Sequence, residues 1–463
     1  MEDNGYVLAG YDTLAKLLYR FTKGLKAKDR WNEQFTTEQL QTFFNKVCVG
    51  FLHSFGQNFP NKRKYHKYKY IMFENMRFCR DTEFFKGSKL FLDSGGYQIS
   101  IGRLSHRESK ILFDMYYEWL QEFPQMYDRA FILDVPPGPG CRIFNNFSDV
   151  YRWNYDSYMT AKNLPTEIKN KLVYVHHFRT PKLWEIYTKL MRENELFKEF
   201  NYHATGGIVA NLGSDLSIPC FIYTIPLIPL LNECKKYKRD FLNFHILGGA
   251  GYRDVLFYEL VKKAVYDFHK IKLNITYDSS GAFKQVMFAR YMWVRDGDDH
   301  LKKMDIRSCN LQNRFYNDKS VIDTYQKMMD ELAVENNFKK INLNDVYMNN
   351  QGSMHEDVKI YSIMYALHRY HTVKKEMEMF ADEVYPLYKS KQYTEFYHRC
   401  IEVTRLLNQG KLTSKQGTKA HSFVRSLDML ADLDEDYCQF IVDKFLAKDE
   451  FAQLFESKKI MTI

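Results

Sequence analysis

The sequence predicts an α/β fold of the (β/α)8 TIM-type barrel class, with an N-terminal helical lead-in and an α-helical C-terminal extension. Three observations predict it. From about residue 66 to 285 short, β-rich apolar runs alternate with longer stretches of helical period, the pattern of parallel strands joined by crossover helices. Most of those runs finish in Gly, Asp, His or Ser. Between the last two, Phe257, Leu260, Val261, Ala264, Val265 and Phe268 recur at i, i+3, i+4, i+7, i+8 and i+11, so a single apolar helix stripe follows Arg253-Asp254 and completes a strand-helix-strand unit.

In chain order, residues 1–60 read as helices leading into the barrel, and 61–310 as the barrel itself. Its strands are expected at KYIMFENM (69–76), KLFLDSGG (89–96), RAFILDV (129–135), KLVYVHHF (171–178), NYHATGGIV (201–209), FHILGGAG (244–251) and KLNITYDSS (272–280). An eighth falls either at VCVGFL (47–52) or beyond 284. The longest apolar run, Ile218 to Leu231, contains Pro219, Pro226 and Pro229, which neither a spanning helix nor a central strand tolerates well, so it reads as a packed connection. Residues 311–463 carry helical periods such as Val358 to Met379 and Phe423 to Leu446, and the Asn-rich stretch Asn336 to Gly352 reads as a linker.

With 463 residues, 45% hydrophobic and 16% aromatic, the chain can bury at least one large core. Its first residues, MEDNGYVLAG, lack the basic start and apolar stretch of a secretory signal, and no apolar run approaches the roughly 18 residues of a membrane span. The expected location is the cytoplasm. Eight cysteines are scattered with no CxxC or CxC pair, so they read as reduced, mostly buried thiols, with neither a zinc site nor a disulfide framework expected. The net charge of +9 bunches at Lys62-Arg63-Lys64, with Lys67 and Lys69, and at Lys235-Lys236, with Lys238 and Arg239. Such clusters either neutralise phosphates or form a solvated face.

In a barrel the strand C-termini converge on one face, so polar residues at those ends become neighbours. Asp93 closes FLD, Asp134 closes FILD, the His176-His177 pair closes VYV, and Asp278 closes NITYD. Any one of them alone could be a helix cap or turn residue. Several acids in equivalent positions match what glycosidic-bond chemistry needs: one carboxylate attacks the anomeric carbon while another moves a proton on and off the leaving group. Gly95-Gly96, Gly206-Gly207 and Gly248-Gly249 with Gly251 also follow strands, where a missing Cβ either permits a tight turn or lets a flat ring or phosphate approach the backbone.

At these residues the chain resembles a family. FLDSGGYQ (91–98) matches the DSGG-[FY]-Q signature of the tRNA-guanine transglycosylases and their DNA-acting relatives. LDVPPGPG (133–140), VHHF (175–178), TGGIV (205–209), ILGGAG (246–251) and YDSSGAF (277–283) follow in the family's order, over about residues 88 to 285. The resemblance implies that Asp278 attacks C1′ and expels guanine, that Asp93 handles the proton, and that Tyr97 stacks on the base. Asp134, Gln98 and the turn at Gly206, Gly207 and Ile208 would read its edge, with Ser94 and Gly95 lining the pocket and His176 standing at the family's Gln.

One departure matters. The tRNA enzymes carry a CxCxxC…H zinc site after the nucleophile, whereas this region offers only Cys309, with no companion until Cys400. The pattern looks more like the phage-type DNA transglycosylases. It implies double-stranded DNA and a free 7-deazaguanine such as a preQ0-type base as partners, base flipping, no cofactor, and a host-cytoplasmic setting for a phage-encoded protein. Lys62, Arg63, Lys64, Lys235 and Lys236 would contact the nucleic-acid backbone. A zinc-less tRNA-guanine transglycosylase and a non-catalytic nucleic-acid-binding subunit remain as alternatives.

Overall fold

The computed structural model describes residues 4–9, 35–57, 59, 65–82, 85–136, 147–177, 181–206, 223–279, 281, 286, 291–295, 300–305, 319–340, 342, 356–407 and 414–441. Eight parallel strands close a barrel in the order β1 to β8: β1 (Gly5–Ala9), β2 (Gly50–Ser54), β3 (Lys89–Asp93), β4 (Arg129–Phe131), β5 (Leu172–His176), β6 (Tyr202–Thr205), β7 (Phe241–Ile246) and β8 (Lys272–Ser279). Around them run α1 (Thr37–Val47), α2 (Tyr65–Asp81), α3 (Gly96–Ser100), α4 (His106–Glu122), α5 (Phe147–Lys162), α6 (Thr166–Lys169), α7 (Pro181–Glu193), α8 (Leu196–Glu199), α9 (Leu227–Lys236) and α10 (Tyr252–His269). No described helix is long and apolar enough to cross a membrane.

The N-terminal region departs from the helical lead-in expected there. β1 is a barrel strand, pairing Val7 with Gly50 of β2 on one side and with Asp278 of β8 on the other, so it closes the cylinder. The barrel therefore begins at residue 5, not 61. GYVLA is too short to show a period of its own, and its partner β8 lies at the far end of the barrel sequence. β2 takes the first of the two positions considered for the missing strand. Helix α1 does lie in the lead-in, started by a capping box between Thr36 and Gln39.

KYIMFENM is helix, not strand. Its buried residues, Tyr68, Met72, Met76 and Cys79, are spaced at i, i+4, i+8 and i+11, while Tyr70 and Ile71 within the apolar run face solvent. From Leu227 the proline-interrupted run is also helix: Pro226 caps α9, and Pro229 sits in its first turn, where no intrahelical N–H bond is lost. Beyond the barrel, β9 (Tyr291–Arg295) and β10 (Leu301–Asp305) form a separate antiparallel pair inside the span assigned to the barrel.

Then come α11 (Lys319–Glu335), α12 (Glu356–Lys389), α13 (Tyr393–Leu406), α14 (Ser414–Asp432) and α15 (Glu435–Ile441). Of these, α12 and α14 dock on α10. Its stripe is buried as expected from Phe257 to Val265, although Phe268 is exposed. Phe257 meets Phe423 of α14 at 5.3 Å, and Asp267 accepts from Tyr385 of α12 at 3.2 Å. Most of the linker expected at Asn336 to Gly352 lies outside the described residues. The described free cysteines, 48, 79, 234, 400 and 438, are all buried.

Candidate active site at the barrel mouth

Strand alternation decides which side chains enter the barrel. His245 of β7 packs against Phe91 of β3 (ring centroids 5.9 Å apart) and Phe131 of β4 (4.8 Å), so these three point inward. Asp93 lies two residues on from Phe91, and Asp278 two residues on from Thr276, whose hydroxyl meets His245 at 2.8 Å. Both acids thus project from strand ends into the C-terminal mouth. Asp134 joins them from the turn after β4, its carboxylate 2.9 Å from His177 Nε2.

The Asp93 carboxyl feels its surroundings. Burial lifts the Asp93 carboxyl from its ordinary 3.8 to about 6; the negative charges of Asp134 and Asp278 push the same way, and the Ser54 hydroxyl and Gly95 amide oppose them. By surface area Asp93 is only partly buried, so it keeps some solvent access. Asp278 is held through Oδ1, which accepts from the Gly248 N–H at 2.8 Å and lies 3.3 Å from His245 Nε2.

Glycines knit the strand ends together by backbone contact. Gly95 adopts the left-handed conformation (φ 94°), and a Cβ there would lie 2.4 Å from Gly56 Cα. At Gly96 it would lie 1.5 Å from the Asp134 carbonyl oxygen, which locks the turn carrying Asp93 against the one carrying Asp134. At Gly206 it would meet Val175 Cγ1 at 2.9 Å and His177 Cε1 at 3.2 Å. Protein packing thus accounts for these glycines. Gly207 and Ile208 lie outside the described residues.

The remaining residues expected at the site follow β3. Ser94 and Gln98 are buried, and Ser94 Oγ and Gln98 Oε1 have no hydrogen-bond partner among the described residues. Buried polar atoms are ordinarily paired, so each of the two has spare hydrogen-bonding capacity. Tyr97, between them in helix α3, is 48% exposed, as a stacking platform requires.

His176 does not belong to the mouth. It is fully buried between strand and helices: Nε2 lies 3.1 Å from His203 Nδ1, and His203 in turn stacks on Phe197 of α8 at 5.1 Å. Burial, helped by His203 and His177, holds its pKa well below the usual imidazole range, so it is neutral. It is His177, just past the end of β5, that meets Asp134, with its ring also 5.5 Å from Tyr187 of α7. His245 was also missed. Its signal was a pair of polar residues two apart, Asn243 and His245, in the strand FLNFHI.

The basic clusters divide. Lys62, Arg63 and Lys64 lie outside the described residues. Lys67 and Lys69 sit in the first turns of α2, on the side of the mouth, and Lys69 pairs with Glu118 at 2.6 Å. Lys235 and Lys236 end α9, whose chain then enters β7 at its N-terminal end, so they lie at the opposite end of the barrel from Asp93 and Asp278. The expected backbone contact there cannot accompany chemistry at the mouth. Lys236 instead faces Glu233 at 3.5 Å.

Cys309 lies outside the described residues. Among those described, Glu331, Glu335 and His368 bring possible ligand atoms together across α11 and α12, and Arg369 already engages both oxygens of Glu331 at 2.9 and 3.2 Å. The fold and mouth define a TIM-type barrel whose acid-bearing strand ends are braced by glycines. Comparison with protein-family models and with curated proteins finds no match for the chain.

Proposed function

We propose that this chain is a DNA-guanine transglycosylase, exchanging guanine in DNA for a 7-deazaguanine base through a covalent Asp278–deoxyribose intermediate. The observation that carries the reading is the meeting of Asp93, Asp134 and Asp278 at one barrel mouth, with the Asp93 carboxyl near 6. An acid at that value is poised to give and take a proton near neutrality. Asp278 attacks C1′ of a flipped nucleotide as the C1′–N9 bond breaks, and Asp93 passes its proton to the departing guanine. The incoming base loses its N9 proton to Asp93 and attacks C1′, and the Asp278 carboxylate leaves.

Asp134, buttressed by His177, and the unpartnered Gln98 and Ser94 atoms supply the groups that read the base edge, while Tyr97 covers its face. DNA is preferred over tRNA because the sequence lacks the cysteine cluster of the tRNA enzymes.

Incubation of the protein with labelled guanine and either duplex DNA or tRNA tests the reading. Label should enter DNA, with a covalent adduct that Asp278→Ala abolishes. Label entering only tRNA reassigns the polymer, and free guanine released without incorporation indicates hydrolysis. Full exchange by Asp278→Ala refutes the mechanism.

A further inference from the structure

Strand β7 carries polar side chains at its inward positions, Asn243 and His245, where a barrel interior ordinarily holds branched aliphatics. His245 is 3% exposed and wedged between the rings of Phe91 and Phe131. Its two nitrogens reach the same strand of the wall: Nδ1 lies 2.8 Å from Thr276 Oγ1 and Nε2 lies 3.3 Å from Asp278 Oδ1. An ionised carboxylate can only accept, so Nε2 carries the hydrogen, and Nδ1 accepts from the Thr276 hydroxyl. A neutral imidazole satisfies both contacts.

The Gly248 N–H also donates to Oδ1, at 2.8 Å. Two donors therefore converge on one oxygen, and no donor meets Oδ2 among the described residues. We propose that His245 is a positioning residue that fixes Oδ2 of Asp278 as the attacking atom, an inference that rests on the transglycosylase reading above. Oδ2 forms the bond to C1′ as the C1′–N9 pair departs with the base. Oδ1 becomes the ester carbonyl and keeps both donors. When the incoming base breaks the Oδ2–C1′ bond, the pair returns to the carboxylate, and the charge spreads onto an oxygen already hydrogen-bonded.

Thr276 acts one step further out. By donating to Nδ1 it selects the tautomer that leaves a hydrogen on Nε2, and the flanking Phe rings stop the imidazole from turning. An alanine at 245 frees the carboxylate to rotate, and misplacement of a reacting group by about 1 Å can cost about 10²-fold in rate.

The test compares wild type with His245→Ala, His245→Gln and Thr276→Val for exchange kinetics, melting temperature, and the Asp278 side-chain orientation in crystals of the free proteins. Expected are a kcat about 10²-fold lower for His245→Ala at unchanged KM for DNA, and a smaller loss for Thr276→Val. His245→Gln should recover the larger part of kcat, since its amide nitrogen reaches the place of Nε2. The Asp278 carboxylate should be turned in the alanine variant alone. Wild-type kcat in His245→Ala, or equal losses in the Ala and Gln variants tracking melting temperature, overturns the positioning role while wild-type exchange still stands. Failure of the wild type to exchange any base overturns the underlying reading instead.

Discussion

Replacing Asp93 with Asn should stabilise the fold at neutral pH and destroy the proposed exchange reaction. The folded chain holds this carboxyl at about 6, against an ordinary 3.8, chiefly because it is enclosed. At 1.36 kcal/mol per pH unit, ionising it costs the folded state about 3 kcal/mol above pH 7, and the residue's partial solvent access brings the expected effect to about 1–3 kcal/mol. The sign follows from proton counting. Between pH 4 and 6 the folded state holds more of this proton than the unfolded chain, so stability falls as pH rises through that window.

Asn has the same shape without the charge and can still accept from Gly95. Urea denaturation at pH 8 should therefore find Asp93→Asn more stable than wild type by about 1–3 kcal/mol, and the gap should close towards pH 4. Other carboxylates contribute equally to both proteins and cancel in the difference. Exchange in the variant should fall by about 10²- to 10⁴-fold, the scale of a lost general acid-base group. A variant less stable than wild type at pH 8, or a gap that does not change with pH, would refute the argument that burial of this charge is a cost borne for function.

Gly96→Ala should destabilise by about 1–3 kcal/mol or more, because its Cβ would occupy the Asp134 carbonyl; wild-type stability in denaturation would contradict the backbone contact. His177→Phe should lower kcat/KM on duplex DNA by about 10- to 100-fold through loss of a hydrogen bond to a charged group, whereas His176→Phe should affect stability more than kcat/KM. Equal kinetic losses from the two would reject the placement of His177, not His176, at the mouth.

Much of the fold was legible because its signals were local. Strands β3 to β8 each carry a β-rich apolar run, and α10 a clean helical stripe between two of them. What failed shows where locality ends. GYVLA at 5–9 is a strand only because β2 and β8 lie beside it, and YIMF at 70–73 reads as β-rich although the side chains that matter, Tyr68, Met72 and Met76, obey a period of four. Tertiary pairing decided the first and the longer window decided the second.

At the candidate site the acids were legible because Asp93, Asp134 and Asp278 each end an apolar run, where an unpaired charge is otherwise costly. The histidines were not. Choosing between His176 and His177 requires the strand's phase to within one residue, and the resemblance set it one residue off. His245 is hidden differently, by lying three residues before the glycine turn that drew attention. Lys235 and Lys236 were misplaced because charge clustering carries no information about which end of a barrel it occupies.

The braced mouth also explains why glycine, and not acid alone, marks these strand ends. A mouth that gathers three acids from separate strand ends needs those ends held in place, and side-chain contacts alone could slide. Backbone seated on backbone cannot: Gly95 against Gly56 ties β3 to β2, and Gly96 against the Asp134 carbonyl ties it to β4, so the acid-bearing turns move only if strands move. In this barrel the glycines of the DSGG segment serve first to hold the acid-bearing turns at fixed spacing, and any close approach of a ligand to that turn is a consequence of the same absent side chains.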